Sequence, residues 1–126
     1  MKKKILIIED EVEASGAMKS MLEASGFEVT TAANGEEGLQ AARTMVPDLI
    51  LLDLMLPKMS GFVVTRLLKF DERYSKIPII ILSAKAEDQD FSMGEKVGAS
   101  GYLMKPVKSG LLLEKIKETL SAAATQ

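Results

Sequence analysis

The sequence predicts an α/β fold in which helices cover both faces of a parallel β-sheet. Short apolar runs without polar alternation recur along the chain, and such runs are typical of strands buried on both faces. Segments of helical length separate the runs, as crossovers between parallel strands require. The chain has 126 residues, of which 47% are hydrophobic. This size and composition predict a single domain spanning residues 1–126.

Five segments are predicted to be strands. Four of them are apolar runs, and three of those runs consist only of isoleucine and leucine. A fifth, weaker candidate carries polar residues. The four runs are residues 5–8, 49–52, 79–82 and 101–104, and the weaker candidate is residues 28–31. The weaker strand is therefore the second along the chain.

Five helices are predicted at residues 11–25, 36–45, 61–70, 87–97 and 109–122. Gly26 is the predicted C-cap of the first helix, Pro47 ends the second, and Ser109 is the predicted N-cap of the last. Apolar stripes indicate which helix faces pack on the sheet. The predicted stripes are Val12, Met18, Met21 and Leu22 on the first helix, and Phe62, Val63, Leu67 and Leu68 on the third.

The alternation of strands and helices fixes the expected topology. Crossovers of this length impose parallel strands joined by right-handed βαβ units. The predicted architecture is a three-layer αβα sandwich whose five-stranded parallel sheet has the order 2-1-3-4-5, which is flavodoxin-like.

Composition and charge exclude several classes of function. The chain contains no cysteine and no histidine, which excludes thiolate metal sites, thiol nucleophiles and histidine bases. It has 16 basic and 18 acidic residues, and this balance disfavours direct nucleic-acid binding. No segment approaches the roughly 20 apolar residues that span a bilayer. We therefore expect a cytoplasmic protein with no membrane segment.

Polar side chains stand where the predicted strands end. Glu9 and Asp10 follow the first strand, Asp53 the third, Ser83 the fourth and Lys105 the fifth. In a doubly wound sheet the ligand site lies beyond the carboxyl ends of the strands, at the switch point of strand order. These five side chains are therefore predicted to meet in one cleft.

The cluster suits phosphoryl chemistry. Carboxylates packed together raise one another's pKa unless a cation joins them, and Mg²⁺ is the hard cation that suits a few carboxylates and water. Positive charge from Mg²⁺ and Lys105 would accommodate phosphoryl oxygens. Asp53 could be a nucleophile that forms an aspartyl phosphate, with the Ser83 hydroxyl holding a phosphoryl oxygen.

Four blocks of sequence together resemble the receiver domain of two-component response regulators, of the single-domain chemotaxis-regulator type. The blocks are residues 5–11, 53–61, 83–84 and 98–106, in the family's order and spacing. The resemblance extends from Ile5 to about Leu120. It implies a flavodoxin-like fold and a phosphorelay function in signal transduction.

The resemblance also implies roles for individual residues. Asp53 would be the phosphoacceptor. Asp10 would ligate Mg²⁺ directly, Glu9 would assist through water, and Asp53 and the backbone carbonyl of Met55 would complete the protein ligands. Lys105 would pair with the phosphoryl group.

Further positions match the switch of this family. Ser83 would move to bond the phosphoryl group, and Tyr102 would change rotamer on the face formed by the fourth helix, fifth strand and fifth helix. The Lys105–Pro106 peptide bond is expected to be cis. Met55 cannot orient an attacking water, and Lys85 would cover the site. We therefore expect slow hydrolysis of the phosphoprotein.

The expected function is a switch. A sensor histidine kinase or phosphotransfer protein would donate the phosphoryl group, and a downstream protein would read the altered face. The protein would be a monomer or a phosphorylation-dependent dimer. It would not be an enzyme with a separate turnover substrate, because its chemistry would be limited to its own phosphorylation and dephosphorylation.

Three alternatives stay open at the level of sequence. The chain could be the receiver of a longer regulator with a DNA-binding or enzymatic output domain. An aspartyl-nucleophile phosphohydrolase would need a second acid where Met55 stands. A flavin-binding module would need a phosphate loop where Glu9, Asp10 and Glu11 would repel phosphate.

Overall fold

The sheet has the predicted strand order. The computed structural model describes residues 2–84 and 98–124. Its strands are β1 (Lys4–Ile8), β2 (Glu28–Ala32), β3 (Leu49–Asp53), β4 (Ile79–Ser83) and β5 (Gly101–Met104). All neighbouring strands are parallel, and their order is β2-β1-β3-β4-β5. The predicted topology is therefore confirmed, including the weaker second strand.

Four helices are described: α1 (Val12–Ala24), α2 (Gly35–Met45), α3 (Gly61–Lys69) and α4 (Ser109–Ala124). Helix α4 is the last helix of the prediction. The predicted helix at residues 87–97 and the predicted site residue Lys85 lie outside the described residues. None of the four combines the length and apolarity needed to cross a bilayer.

Helices cover both faces of the sheet because alternate strand residues point to opposite sides. Leu6 and Ile8 of β1 pack with side chains of α2 and α3, while Ile5 and Ile7 pack with side chains of α1 and α4. Every residue of β3 and β4 is buried. The three-layer sandwich explains why these strands contain no polar alternation.

Local hydrogen bonds end helix α1 where the sequence predicts. Gly26 has a φ of 97°, its N–H donates to the Glu23 carbonyl at 3.1 Å, and the Phe27 N–H donates to the Leu22 carbonyl at 3.1 Å. This pair of bonds is a Schellman motif. Leu22 and Phe27 are both buried in the core beneath α1. Ser25 is the C-cap and Gly26 is the left-handed residue after it, so the glycine lies one position beyond the cap instead of forming it.

The start of α4 differs from the prediction by one residue. Ser109 is the first helical residue, and the carbonyl of Lys108 accepts the hydrogen bond of the Leu112 N–H at 3.0 Å. Ser109 therefore lies inside the helix instead of preceding it as the cap.

Two predicted apolar stripes are partly wrong. Val12 is 80% exposed, whereas Leu22 of the same helix is fully buried. On α3, Val64 and Leu68 are fully buried, while Val63 and Leu67 are 45% and 44% exposed. Helix α3 is apolar on two sides, so its sequence alone does not indicate which side faces the sheet.

Candidate functional site

The carboxyl ends of the strands bring the predicted polar side chains to one edge of the sheet. Asp53 and Ser83 are the last residues of β3 and β4, and both are buried. Ile8 lies beside Leu52 in the register of β1 and β3, so Glu9 emerges next to Asp53. Lys105 follows β5, and its N–H donates to the Ser83 carbonyl at 2.7 Å.

Lys105 joins the two buried carboxylates. Its Nζ lies 2.6 Å from Oε1 of Glu9 and 3.2 Å from Oδ1 of Asp53. The side chain of Glu9 is fully buried and that of Asp53 is 6% exposed, whereas that of Lys105 is 25% exposed. The peptide bond from Lys105 to Pro106 is cis. The result is one ammonium group shared by two acids at the floor of the cleft.

The acids compete for this single cation. Burial, together with a hydrogen bond and charge repulsion from Asp53, raises the pKa of Glu9 to about 7, although Lys105 acts in the opposite direction. Burial alone would lower the pKa of Lys105, but its contacts with Glu9 and Asp53 raise it above the usual value. The site therefore has more negative charge than one lysine neutralises.

A third carboxylate completes a potential cation site. Oxygen atoms from Glu9, Asp10 and Asp53 all lie within 4.8 Å of one another. Asp10 is exposed, and its N–H donates to Oε2 of Glu9 at 3.1 Å. Hard oxygen ligands with one solvent-facing member suit a divalent ion that keeps part of its water shell.

The loop after β3 holds the backbone close to Asp53. The Met55 N–H donates to Oδ1 of Asp53 at 3.3 Å, while the Met55 side chain is 61% exposed. Lys58 has a φ of 68° inside a tight turn closed by the Met59 N–H and the Pro57 carbonyl at 2.7 Å. Met55 therefore contributes backbone to the site and presents its side chain to solvent.

Gly61 contributes to the site, although the sequence analysis assigns it no role there. Its N–H donates to the Leu54 carbonyl at 2.9 Å. A Cβ atom at this position would lie 2.6 Å from the backbone oxygen of Asp53. Only glycine lets helix α3 start this close to the end of β3. The sequence signal for this role is the position of Gly61, which starts the third predicted helix eight residues after Asp53.

Tyr102 lies apart from the acidic cluster. It is opposite Ile81 in the register of β4 and β5, and it packs against the core on the side of α2 and α3. Its hydroxyl oxygen is buried. Glu9, Asp53 and Lys105 are thus in contact, Asp10 is within ligand reach of both acids, and Ser83 is linked to Lys105 through the backbone.

A protein-family model matches most of the chain. A model described as response regulator receiver domain matches residues 5–117. These residues include all the predicted site residues and, apart from Lys4 at the start of β1, every described strand.

Characterised relatives fall into two length classes. Protein PilH of Pseudomonas aeruginosa is 38% identical over 118 residues, which cover 94% of this chain and 98% of PilH. The alkaline phosphatase synthesis transcriptional regulatory protein PhoP of Bacillus subtilis is 40% identical over 120 residues, which cover 95% of this chain and 49% of PhoP. The chain thus spans about half the length of the longer relatives it matches.

Solved structures match in fold over nearly the full length. A CheY-like response regulator receiver domain protein from Methanospirillum hungatei superimposes with a TM-score of 0.92 at 33% identity. The match covers 99% of this chain and 98% of that one.

Proposed function

This chain belongs to the response regulator receiver family, and we propose that it stores a signal as a phosphoryl group on Asp53. The observation that most supports this role is the position of the Lys105 ammonium group between Glu9 and Asp53. A buried carboxylate beside a cation and two further acids is suited to carry a phosphoryl group once a metal balances the charge.

We propose Mg²⁺ as the cofactor of this site. Asp10, Asp53 and the backbone carbonyl of Met55 would hold it directly, and Glu9 would assist through water. The fit is supported by the carboxylate oxygens, which lie within 4.8 Å of one another. When bound, the ion supplies positive charge that lets phosphoryl oxygens approach the carboxylates.

Asp53 acts as the nucleophile in the proposed reaction. One of its carboxylate oxygens bonds to phosphorus while the phosphorus–nitrogen bond of a donor phosphohistidine breaks, and the imidazole leaves after taking up a proton. Lys105, whose Nζ is 3.2 Å from Oδ1 of Asp53, pairs with one phosphoryl oxygen. The hydroxyl of Ser83 donates to another. The product is an aspartyl phosphate at the end of β3.

Phosphorylation then biases the conformation of the domain. Ser83 moves toward the phosphoryl group, and Tyr102 changes position on the surface formed by β5, α4 and the predicted fourth helix. The new contacts stabilise a conformer that the unmodified protein already populates at a low level. A downstream protein reads this surface, and the domain acts as a switch without a separate turnover substrate.

The donor is a sensor histidine kinase or a phosphotransfer protein of the cytoplasm. The similarity to PilH along its whole length supports a receiver that acts alone over residues 1–126. The similarity to PhoP over half its length supports the alternative, a receiver within a longer regulator that carries an output domain. Sequencing the native transcript through its stop codon distinguishes these two arrangements.

Phosphorylation by a small phosphodonor tests the proposal. Incubation with phosphoramidate and Mg²⁺ should add one phosphoryl group to the intact protein, as read by mass spectrometry. Asp53→Asn should abolish the addition, and Glu28→Gln, which changes an exposed acid of β2, should not. A phosphorylated Asp53→Asn variant would overturn the assignment.

A further inference from the structure

An apolar surface on α3 faces solvent on the side away from the sheet. Val63, Leu67 and Phe70 follow the spacing i, i+4 and i+7, which places them on one stripe of the helix. Val63 and Leu67 are nearly half exposed, and Phe70 is 77% exposed. A large aromatic side chain this exposed, continuous with two aliphatic neighbours, is typical of an interaction surface.

The stripe lines an open groove with a volume of about 720 Å³. Arg66 precedes Leu67 and Phe70 in the chain, Glu72 follows them, and both charged residues line the groove. The guanidinium of Arg66 stacks over the Phe70 ring at 5.4 Å from its centroid. We call this surface, formed by Val63, Arg66, Leu67, Phe70 and Glu72, the α3 groove.

Arg66 and Glu72 have no ion-pair partner within residues 2–84 and 98–124. The ion pairs found there involve neither Arg66 nor Glu72. Arg73, which also lines the groove, is already paired with Asp71 at 2.9 Å. The α3 groove therefore has an apolar centre, one uncompensated cation and one uncompensated anion.

We propose that the α3 groove binds a second copy of this chain. A two-fold axis that passes between Leu67 and Phe70 exchanges the residue before this pair, Arg66, with the residue after it, Glu72. Arg66 of each copy then lies against Glu72 of the other, and Leu67 and Phe70 of the two copies cover one another. Charge complementarity of a surface with itself is what a symmetric dimer requires.

This interface differs from the surface proposed above for phosphorylation-dependent recognition. It lies on α3 and does not include β5 or α4, which belong to the surface proposed for the downstream partner. It also does not depend on the phosphoacceptor proposal, because its charges and apolar residues lie outside the acidic cluster.

Analytical ultracentrifugation of the unphosphorylated protein without Mg²⁺ tests the inference. The weight-average mass should rise from 13.7 kDa toward twice that value as concentration increases. An interface of this small size gives weak association, so the series should extend to about 1 mM. A mass that stays at the monomer value throughout would overturn the proposal.

Charge reversal identifies the surface. Arg66→Glu and Glu72→Arg should each weaken dimerisation by roughly tenfold or more, because each places like charges together across the axis. The double variant Arg66→Glu/Glu72→Arg should restore it, since the charges are then exchanged. Loss in both single variants without recovery in the double would contradict the reciprocal pairing.

Shortening an exposed apolar side chain inside the groove, and another outside it, tests the apolar part of the interface. Phe70→Ala should weaken dimerisation, and Leu111→Ala should leave it unchanged, because Leu111 is an exposed apolar residue on α4 that does not line the groove. Both variants remove exposed side chains, so urea unfolding midpoints should stay near the parent value. A dimer that depends on Leu111 and not on Phe70 would place the interface elsewhere and overturn the inference.

Discussion

At the residue scale, Lys105 offsets part of the repulsion between two neighbouring buried carboxylates. Its ammonium group contacts both Glu9 and Asp53, yet the pKa of Glu9 is still raised to about 7 by burial and by Asp53. The cluster thus prefers to bind one further positive charge. A proton provides it at low pH, and a divalent cation would provide it at neutral pH.

The protonation of Glu9 predicts how stability depends on pH without divalent cations. The pKa of Glu9 is about 7 in the folded protein and 4.5 for an unperturbed glutamate. The folded state therefore holds a proton that the unfolded state has released, so the stability from protonated Glu9 is present below pH 4.5 and is lost as pH rises through 7. Glu9→Gln removes this dependence.

Thermal unfolding of both proteins from pH 5 to pH 8 in EDTA measures the effect. The melting temperature of the parent should fall relative to that of Glu9→Gln, by on the order of 5 °C across this range. A difference that stays constant with pH would show that Glu9 is ionised throughout and contradict the raised pKa.

Met55 predicts the lifetime of the proposed aspartyl phosphate. Its exposed side chain stands two residues after Asp53 and has no hydrogen-bonding group to orient an attacking water. Met55→Asn introduces such a group and should accelerate loss of the phosphoryl group by roughly tenfold. Following the phosphoprotein by mass spectrometry measures the rate. Met55→Leu is the matched control and should leave it unchanged; equal rates in all three proteins would refute the idea.

At the scale of elements, the close packing of a helix on the side chains of the sheet determines where glycine is needed. Gly38 of α2 lies over β1, and a Cβ there would come within 2.5 Å of Cδ1 of the fully buried Ile8. Gly16 of α1 has no neighbouring atom within 4 Å of the corresponding position. Both glycines are helical, but packing against the sheet requires glycine only at position 38.

Alanine at these two positions should change stability in opposite directions. Gly38→Ala should lower the free energy of unfolding by about 1–3 kcal/mol, because the core at Ile8 has no room for a methyl group. Gly16→Ala should raise it by about 0.5–1 kcal/mol, because alanine is the better helix former and nothing obstructs it. Urea unfolding measures both. Destabilisation of equal size at both positions would contradict the described packing of α2 on β1.

The sequence predicted the strands better than the faces of the helices. Runs of isoleucine and leucine identify a strand buried on both sides without further information. A helix needs the angular position of each residue, and at 3.6 residues per turn Val12 lies about 120° from the centre of the stripe at Met18, Met21 and Leu22. Its exposure was therefore predictable from helix geometry.

Other features could not be read from the sequence. Helix α3 is apolar on two sides, and only the packing of Val64 and Leu68 on the sheet decides that Val63 and Leu67 face solvent. At the site, strand order predicts that Glu9, Asp53 and Lys105 meet. It does not predict that Lys105 contacts both acids, because that depends on side-chain conformations within the cleft.

At the scale of the whole molecule, the fold positions the acidic cluster, and a bound cation should in turn stabilise the fold. Glu9, Asp10 and Asp53 come from two different strand ends that separate on unfolding. The proposed Mg²⁺ ion would therefore bind the folded chain and not the unfolded one. At about tenfold above its dissociation constant it should add about 1.4 kcal/mol to stability.

Differential scanning calorimetry with and without Mg²⁺ measures this coupling. The melting temperature should rise by a few degrees for the parent and for Glu28→Gln, and should not rise for Asp10→Asn. An unchanged melting temperature of the parent at millimolar Mg²⁺ would exclude the proposed ligand set.

The most direct test of the central proposal locates the phosphoryl group itself. Borohydride reduces an aspartyl phosphate to homoserine, so protein phosphorylated with phosphoramidate and Mg²⁺ can be reduced, digested and sequenced by mass spectrometry. We predict homoserine at position 53 and aspartate retained at position 10. Homoserine at position 10, or none at position 53 in a protein that has gained a phosphoryl group, would contradict the assignment of Asp53 as the phosphoacceptor.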